Sequence, residues 1–350
     1  MKNFEKFSDE RFQQIFMHII SQSRRDNTYK LAFARFLLEY AESETKTEVS
    51  FEKIAKYFLK YYWPQICNSK LFQSAIDSQS IDEKRKPKIV QILTSEFSEP
   101  YYPSTFEKIS QKEPKKINNC IKKIEKECFK IVTFAFQRVK EGNDNLDVSP
   151  MFFDYKIKGR KPSRPDQVYV DFDYGIILNR YALDFLKRFN GLLRNAVILQ
   201  WAKFLEPLNI GYPQIIKSIE SEFEPRGLQK ERRLLEDLED DIPDRCFYCE
   251  QILKKDEINV EHIIPYSYLK HNKMWNLTLA CKKCNCKKLG SLPKIKSTWM
   301  NKIHNRNEKF RKKIPLLDKH LQELGSDYKI KMDIMYDLAI NQGFIEKKMP

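Results

Sequence analysis

Residues 246–288 read CFYCEQILKKDEINVEHIIPYSYLKHNKMWNLTLACKKCNCKK. Two Cys-x-x-Cys pairs, Cys246/Cys249 and Cys281/Cys284, enclose 31 residues. Eight cysteines scattered at random through a chain of this length would give roughly 0.2 such pairs, so two are a signal. Each pair can turn as a knuckle whose thiolates converge on one ion, and four thiolates make a closed tetrahedral Zn2+ site. A closed site leaves no open position for substrate, so this zinc is expected to be structural. Cys286 breaks the paired symmetry and is left out of the ligand set.

The enclosed segment carries the chemistry. NVEHIIPYS reads as a strand ending in a proline turn, and MWNLTLACKKCNCKKL as a short strand leading into a helix. A hairpin followed by a helix would set Glu261, His262 and Asn285 on facing elements. A carboxylate and an amide oxygen are hard ligands suited to Mg2+ or Mn2+. An imidazole beside them is the natural general base at neutral pH for a water that attacks phosphorus.

This segment resembles the zinc-bearing form of the HNH, or ββα-metal, endonuclease family over roughly residues 244–293. The resemblance rests on Cys246/Cys249, Glu261-His262-Ile263-Ile264-Pro265, Asn276-Leu277, Cys281/Cys284-Asn285 and Lys287-Lys288. The His-to-Asn and Asn-to-Asn spacings of 14 and 9 are also similar to those of the HNH domain in type II CRISPR effector nucleases. It implies that His262 is the general base and that Glu261 and Asn285 hold a catalytic Mg2+ or Mn2+. It further implies that Asn276 holds the loop that orients His262, and that Lys287 or Lys288 touches the scissile phosphate or its neighbour. Three departures stand out: Glu where Asp is commoner, Asn rather than His at the last position, and Leu289 between Lys288 and Gly290.

Outward from this stretch the pattern is mostly helical. Phe12, Ile15, Phe16, Ile19 and Ile20 recur at helical steps, and YKLAFARFLLEYA does likewise, with Asn27 or Thr28 to cap it. Ser50 is placed to cap a third helix whose aromatics Phe58, Tyr61, Tyr62 and Trp63 are expected in the core. DSQSIDEKRKPK, with Lys84, Arg85, Lys86 and Lys88, reads as an exposed linker, and a lysine-rich helical stretch runs from about 106 to 140. Cys120 and Cys128 within it have no partner at ligand spacing and are expected to be buried. MFFDYKIKG and QVYVDFDYGIIL read as strands joined by a basic loop holding Arg160, Lys161 and Arg164. NRYALDFLKRFNGLLRNAVILQWAKFLEPLN is apolar on more than one stripe, predicting a helix largely buried between others. A further amphipathic helix is expected from Ile215 to about Leu238, ending in an acidic linker, and one or two helices at the C-terminal end should pack on the body. NTYKLAFARFLLEYAE and ILQWAKFLEPLN loosely resemble helical regions that accompany HNH domains in bacterial defence and restriction proteins.

The fold expected is therefore mainly α with a small β component: a helical body followed by a ββα-metal domain with its four-cysteine zinc. Segments 1–142 (N-terminal helices), 143–240 (short β segment and helices), 241–300 (nuclease domain) and 301–350 (basic helical extension) divide it. Sixty-three Lys and Arg against 48 Asp and Glu give a net charge of +15, which suits a polyanion. Between Lys282 and Lys313 twelve cations face one acid, Glu308, marking this segment for phosphate contact. Nine glycines leave little room for Gly-rich phosphate loops, and the sequence holds neither a Walker motif nor a dinucleotide fingerprint. No apolar run is long enough to span a membrane and the first residues lack a signal-peptide pattern, so a reducing cytoplasm is expected. The function expected is metal-dependent endonuclease action on nucleic acid, most readily double-stranded DNA, in a bacterial defence or restriction setting. The competing readings are a zinc-stabilised nucleic-acid binder and an effector gated by a regulatory protein. One such core nicks one strand, so two-strand cutting would call for a homodimer or two events.

Overall fold

Helices dominate, as the three- and four-residue apolar spacing predicts. A computed structural model describes residues 4–21, 27–75, 85–97, 104–141, 144–148, 150–157, 172–220, 227–236, 238, 244–254 and 256–350. The chain divides into two units: residues 1–67, 71–209 and 215–221 make the first, and 68–70, 210–214 and 222–350 the second. Lys84, Arg160, Lys161 and Arg164 lie outside the described residues.

The first unit is built on α1 (Asp9–Ser21), α2 (Tyr29–Ser43), α3 (Phe51–Tyr62), α4 (Lys88–Glu96), α5 (Phe106–Lys112), α6 (Pro114–Phe136), α7 (Arg180–Arg188) and α8 (Asn190–Leu205). The predicted caps divide their work. Asn27 Oδ1 accepts from Tyr29 N at 3.0 Å, whereas the Thr28 hydroxyl turns inward to Tyr62 Oη at 2.6 Å. Ser50 Oγ accepts from Lys53 N, as its position predicts. Phe58, Tyr61, Tyr62 and Trp63 are all fully buried. After α3 the chain widens into a π-helical turn, Trp63–Asn68, where Pro64 has no amide hydrogen to continue the α ladder. Pro114 likewise splits the lysine-rich stretch, starting α6 at its first turn. Cys120 and Cys128 are buried, and burial pushes both thiols up to about 12.

A three-stranded antiparallel sheet, β4 (Phe153–Ile157), β5 (Phe172–Leu178) and β1 (Glu48–Ser50), lies in this unit with β5 in the centre, and β2 (Arg138–Glu141) pairs with β3 (Asp144–Asp147). Gly175 is required where β5 meets β1, because a Cβ there would sit 2.5 Å from Val49 O. Gln137, buried, ties α6 to β4 by donating to Phe153 O and accepting from Phe152 N.

Two expectations are corrected. Helix α8 is not enclosed: Trp201 and Leu205 are buried, but Leu192 is 63% exposed and Leu199 48%. Its apolar residues spread around the helix, so one side meets solvent. Of the expected helix from Ile215 to Leu238, the described residues hold two stretches, α9 (Ile215–Glu220) and α10 (Gln229–Leu235), with Gly227 and Leu228 outside any helix. Gly227, just ahead of the second stretch, is a poor helix residue and accounts for the interruption among the described residues.

The second unit holds the segment that decides the chemistry. β6 (Ile258–His262) pairs antiparallel with β7 (Leu277–Cys281), with Ile258 opposite Cys281 and His262 opposite Leu277. A short helix, α11 (Tyr266–Leu269), and a 3-10 turn, Met274–Asn276, connect them, and α12 (Lys282–Lys288) follows directly. This is the predicted hairpin and helix. Three helices, α13 (Lys296–Phe310), α14 (Pro315–Gln322) and α15 (Tyr328–Asn341), complete the unit, with a parallel pair β8 (Leu292–Pro293) and β9 (Glu346–Lys347). Within it α14 and α13 pack on the Met274–Asn276 turn and α15 packs on α13. Among the described residues no helix is long and apolar enough to cross a membrane.

Candidate metal centre and active site

The four predicted thiols converge: the sulfurs of Cys246, Cys249, Cys281 and Cys284 all lie within 4.8 Å of one another. Ligands held about 2.3 Å from a central zinc in a tetrahedron stand about 3.8 Å apart. Cys249 and Cys281 are separated by 3.8 Å, so the residues present fit the ion. The first knuckle is shaped by its backbone. Cys246 N donates to Gln251 O, Glu250 N donates to Cys246 O, and Glu250 takes a left-handed φ of 59° to close the turn. Phe247 N reaches Leu279 O at 2.9 Å, fastening this knuckle to β7, and Trp299 of α13 packs on Phe247 and Tyr248.

The second knuckle is the junction of β7 and α12. Cys281 ends the strand and caps the helix, its sulfur accepting from Cys284 N at 3.4 Å. Burial disfavours charge on Cys246, but amide N–H groups of Cys249, Cys281 and Tyr248 outweigh it and hold that thiol below its ordinary value. Burial, with its thiol neighbours, drives Cys284 the other way. Four such thiols can ionise together only around a divalent cation. Cys286 is exposed and stands apart from the cluster.

His262 ends β6, 3% exposed, and Glu261 precedes it. The chain leaving His262 is clamped by Asn276, which is fully buried in the 3-10 turn. Its carboxamide donates to Ile264 O and accepts from Ile264 N, both at 2.8 Å, and its own carbonyl accepts from Ile263 N at 2.9 Å. Three hydrogen bonds from one residue thus set the two residues after His262.

On α12, Cys284, Asn285 and Lys288 follow Cys281 at steps of three, four and seven, placing them on one face. Lys288 is fully buried, with its ammonium 2.9 Å from Glu261 Oε1, and the Glu261 side chain is 14% exposed. Asn285 is half-buried on the same helix, which packs against β6. Lys287 is exposed on the opposite side, as are Lys282 and Lys283. Of the two lysines expected at the phosphate, one therefore points in and one out. His271 rests its ring on Trp275 and accepts from Lys273 N at 3.4 Å.

Four residues that the sequence reading did not single out complete the centre. Asn272 Oδ1 lies 3.0 Å from His262 Nε2. His320 Nδ1 accepts from Met274 N at 3.0 Å. Asn307 donates to Trp275 O at 3.0 Å, and Arg306 Nη2 donates to Leu277 O at 2.5 Å. Burial lowers the Arg306 guanidinium to about 9. Asn272 acts on the His262 ring, and the other three hold the backbone from Met274 to Leu277. None sits at a spacing from His262 that a helix or strand period would flag.

The comparisons with known proteins agree with this geometry. Residues 246–294 match the family described as HNH endonuclease. That match covers both knuckles, Glu261, His262, Asn276 and Asn285, and points to nuclease activity and nucleic-acid binding. No curated protein and no solved structure matches the chain. Residues 9–215 match a family described only as a domain of unknown function (DUF8808), a description that states no defence or restriction role. Because that match takes in more than half of the chain, this protein belongs to the family of that domain, and its HNH region follows in the second unit.

Proposed function

We propose that this protein is a metal-dependent endonuclease that hydrolyses phosphodiester bonds in double-stranded DNA. The observation that carries the proposal is the arrangement around His262: a buried imidazole at a strand end, next to a carboxylate, with its following loop fixed by Asn276. His262 is the general base that takes a proton from the attacking water. Glu261 and Asn285 offer one carboxylate and one amide oxygen, a donor set that fits Mg2+ or Mn2+ with waters in the remaining positions. Such an ion, when bound, supplies charge stabilisation at the phosphate and the leaving 3′ oxygen. Asn276 is a positioning residue, holding the backbone that aims His262. Lys287, with Lys282 and Lys283, faces outward to the phosphate backbone. The bacterial defence setting and a cytoplasmic location belong to the same proposal.

A second reading, an effector that a regulatory partner must release, is favoured by the Lys288–Glu261 ion pair, which already engages the carboxylate. One experiment decides between them. The full chain is incubated with plasmid and with RNA, in Mg2+, Mn2+ and EDTA, beside His262→Ala. Plasmid cleavage that needs a divalent ion and falls at least about a hundredfold in the Ala variant is expected, the scale of a lost general base. Equal cleavage by both proteins would sink the role of His262. No cleavage by the wild type in any condition would favour the gated effector or the zinc-stabilised binder over an enzyme that cuts on its own.

A further inference from the structure

We propose that Asn272 is the residue that fixes the tautomer and ring orientation of His262, so that Nε2 carries the proton and Nδ1 is the basic nitrogen. This rests on the reading of His262 as general base. An amide oxygen only accepts hydrogen bonds, so Oδ1 of Asn272 at 3.0 Å from Nε2 requires a proton on Nε2. A neutral imidazole then keeps its lone pair on Nδ1. A general base whose protonated nitrogen faced the water would be idle, so a group that selects the tautomer acts directly on turnover.

The connection between α11 and the 3-10 turn is built to hold Asn272 still. Two residues before it, Lys270 is buried in a left-handed conformation, φ 52°, and donates from its N–H to Tyr266 O at 2.7 Å. One residue before it, His271 packs on buried Trp275. One residue after it, Lys273 ion-pairs with Glu323, the residue that follows α14, and Asn276 N donates to Lys273 O at 3.0 Å. Met274 N is then held by His320 of α14. From the other side, the edge of the Tyr266 ring meets the His262 ring at a centroid distance of 5.4 Å. The carboxamide is therefore delivered by a segment anchored at both ends, toward a ring that packing already restricts.

Asn272 touches neither substrate nor the reacting atoms; it is a positioning residue. Residues that orient a metal-ligating imidazole matter by about 10- to 100-fold, and the same scale is expected for one that orients a general-base imidazole. Asn272→Leu keeps the approximate volume and removes the acceptor, so kcat should fall by about 10- to 100-fold while KM stays within about twofold. Asn272→Asp keeps an acceptor at the same place and should retain the tautomer. The deciding readout is independent of turnover. Long-range nitrogen–proton NMR on the full-length, zinc-loaded protein labelled with nitrogen-15 in histidine reports which ring nitrogen carries the proton, with His262→Gln to assign the signal.

The expected result is a wild-type His262 protonated at Nε2, unchanged in Asn272→Asp and mixed between tautomers in Asn272→Leu. A wild-type ring protonated at Nδ1 would overturn the proposal, since the amide would then be donating. So would an Asn272→Leu protein with the wild-type tautomer and full kcat. If the spectra follow expectation but the wild type cleaves nothing, the orientation by Asn272 stands and the nuclease reading falls, so the two failures are distinguishable.

Discussion

At the scale of a single residue, Lys288 has the most to lose or gain. Its ammonium is fully buried and its partner Glu261 nearly so, an arrangement in which each charge tolerates burial only because of the other. Replacing Lys288 by Met leaves the carboxylate without a counter-charge, a loss of about 3–5 kcal/mol for a buried pair. A divalent cation held by Glu261 would restore the missing positive charge. The expected outcome for Lys288→Met is a lowered melting temperature that Mg2+ or Mn2+ raises further than it raises the wild type, followed by calorimetry. Equal cation-dependent shifts in both proteins would show that Lys288 and the ion do not share Glu261. The helical face that turns Lys288 inward was legible in its spacing of seven, four and three residues from Cys281, Cys284 and Asn285, although Lys288 was expected at the phosphate. Asn272 and His320 were not, because what they touch lies across loops with no period to read.

At the scale of elements, the β7–α12 junction rests on one side chain. Cys281 is the strand's last residue, the helix cap and a sulfur of the cluster. Serine is a good cap, so Cys281→Ser preserves that task and removes only the thiolate. A structural zinc site carries folding free energy on the order of 10–16 kcal/mol. Elemental analysis should fall from about one zinc per chain to well below that, and proteolysis should open the hairpin and α12 while α1 to α8 stay resistant. A Ser variant with full zinc and unchanged protection would mean that Cys281 is a cap only. The connecting loop depends on α14 in a different way. Burial, then the nearby Lys273 and Lys319, lowers His320 below its ordinary value of about 6.5, against Glu323 and Glu231, which raise it. A neutral ring accepts from Met274 N; a protonated one cannot. Because the folded value lies below the unfolded one, the contribution to stability is complete above about 6.5 and is lost as pH falls through the folded value. Melting temperatures between pH 7.5 and 5 should therefore drop less steeply for His320→Gln than for the wild type, and parallel curves would remove His320 from the clamp.

At the scale of the whole molecule, the question is where a net charge of +15 meets nucleic acid. The sequence points to the twelve cations between Lys282 and Lys313, yet the fold spends several of them internally. Lys296 pairs with Asp337 at 2.6 Å, Lys302 with Glu250 at 2.9 Å and Arg311 with Asp318 at 2.7 Å. Lys288 pairs with Glu261, and Arg306 donates to backbone carbonyls. Composition counts charges but cannot say which have been answered by an acid from a distant helix. That is why the hairpin and the four-cysteine cluster could be read from local spacing, and Asn276 only from the family resemblance, while the phosphate-facing surface could not. Lys282, Lys283 and Lys287 remain exposed on α12, without an ion pair among the described residues, on the helix that carries Asn285. Each phosphate contact contributes about 0.9 to the slope of log affinity against log salt on duplex DNA. Replacing all three by Ala should therefore lower that slope by roughly 2–3 and weaken binding across unrelated sequences alike. Replacing the paired Lys296 and Lys302 should change it by less than about one, because their charges are already met. Binding isotherms at several salt concentrations, taken in Ca2+ to hold cleavage off, measure both. If the paired lysines carried the slope instead, the nucleic acid would have to displace Asp337 and Glu250, and the docking surface would move from α12 to α13.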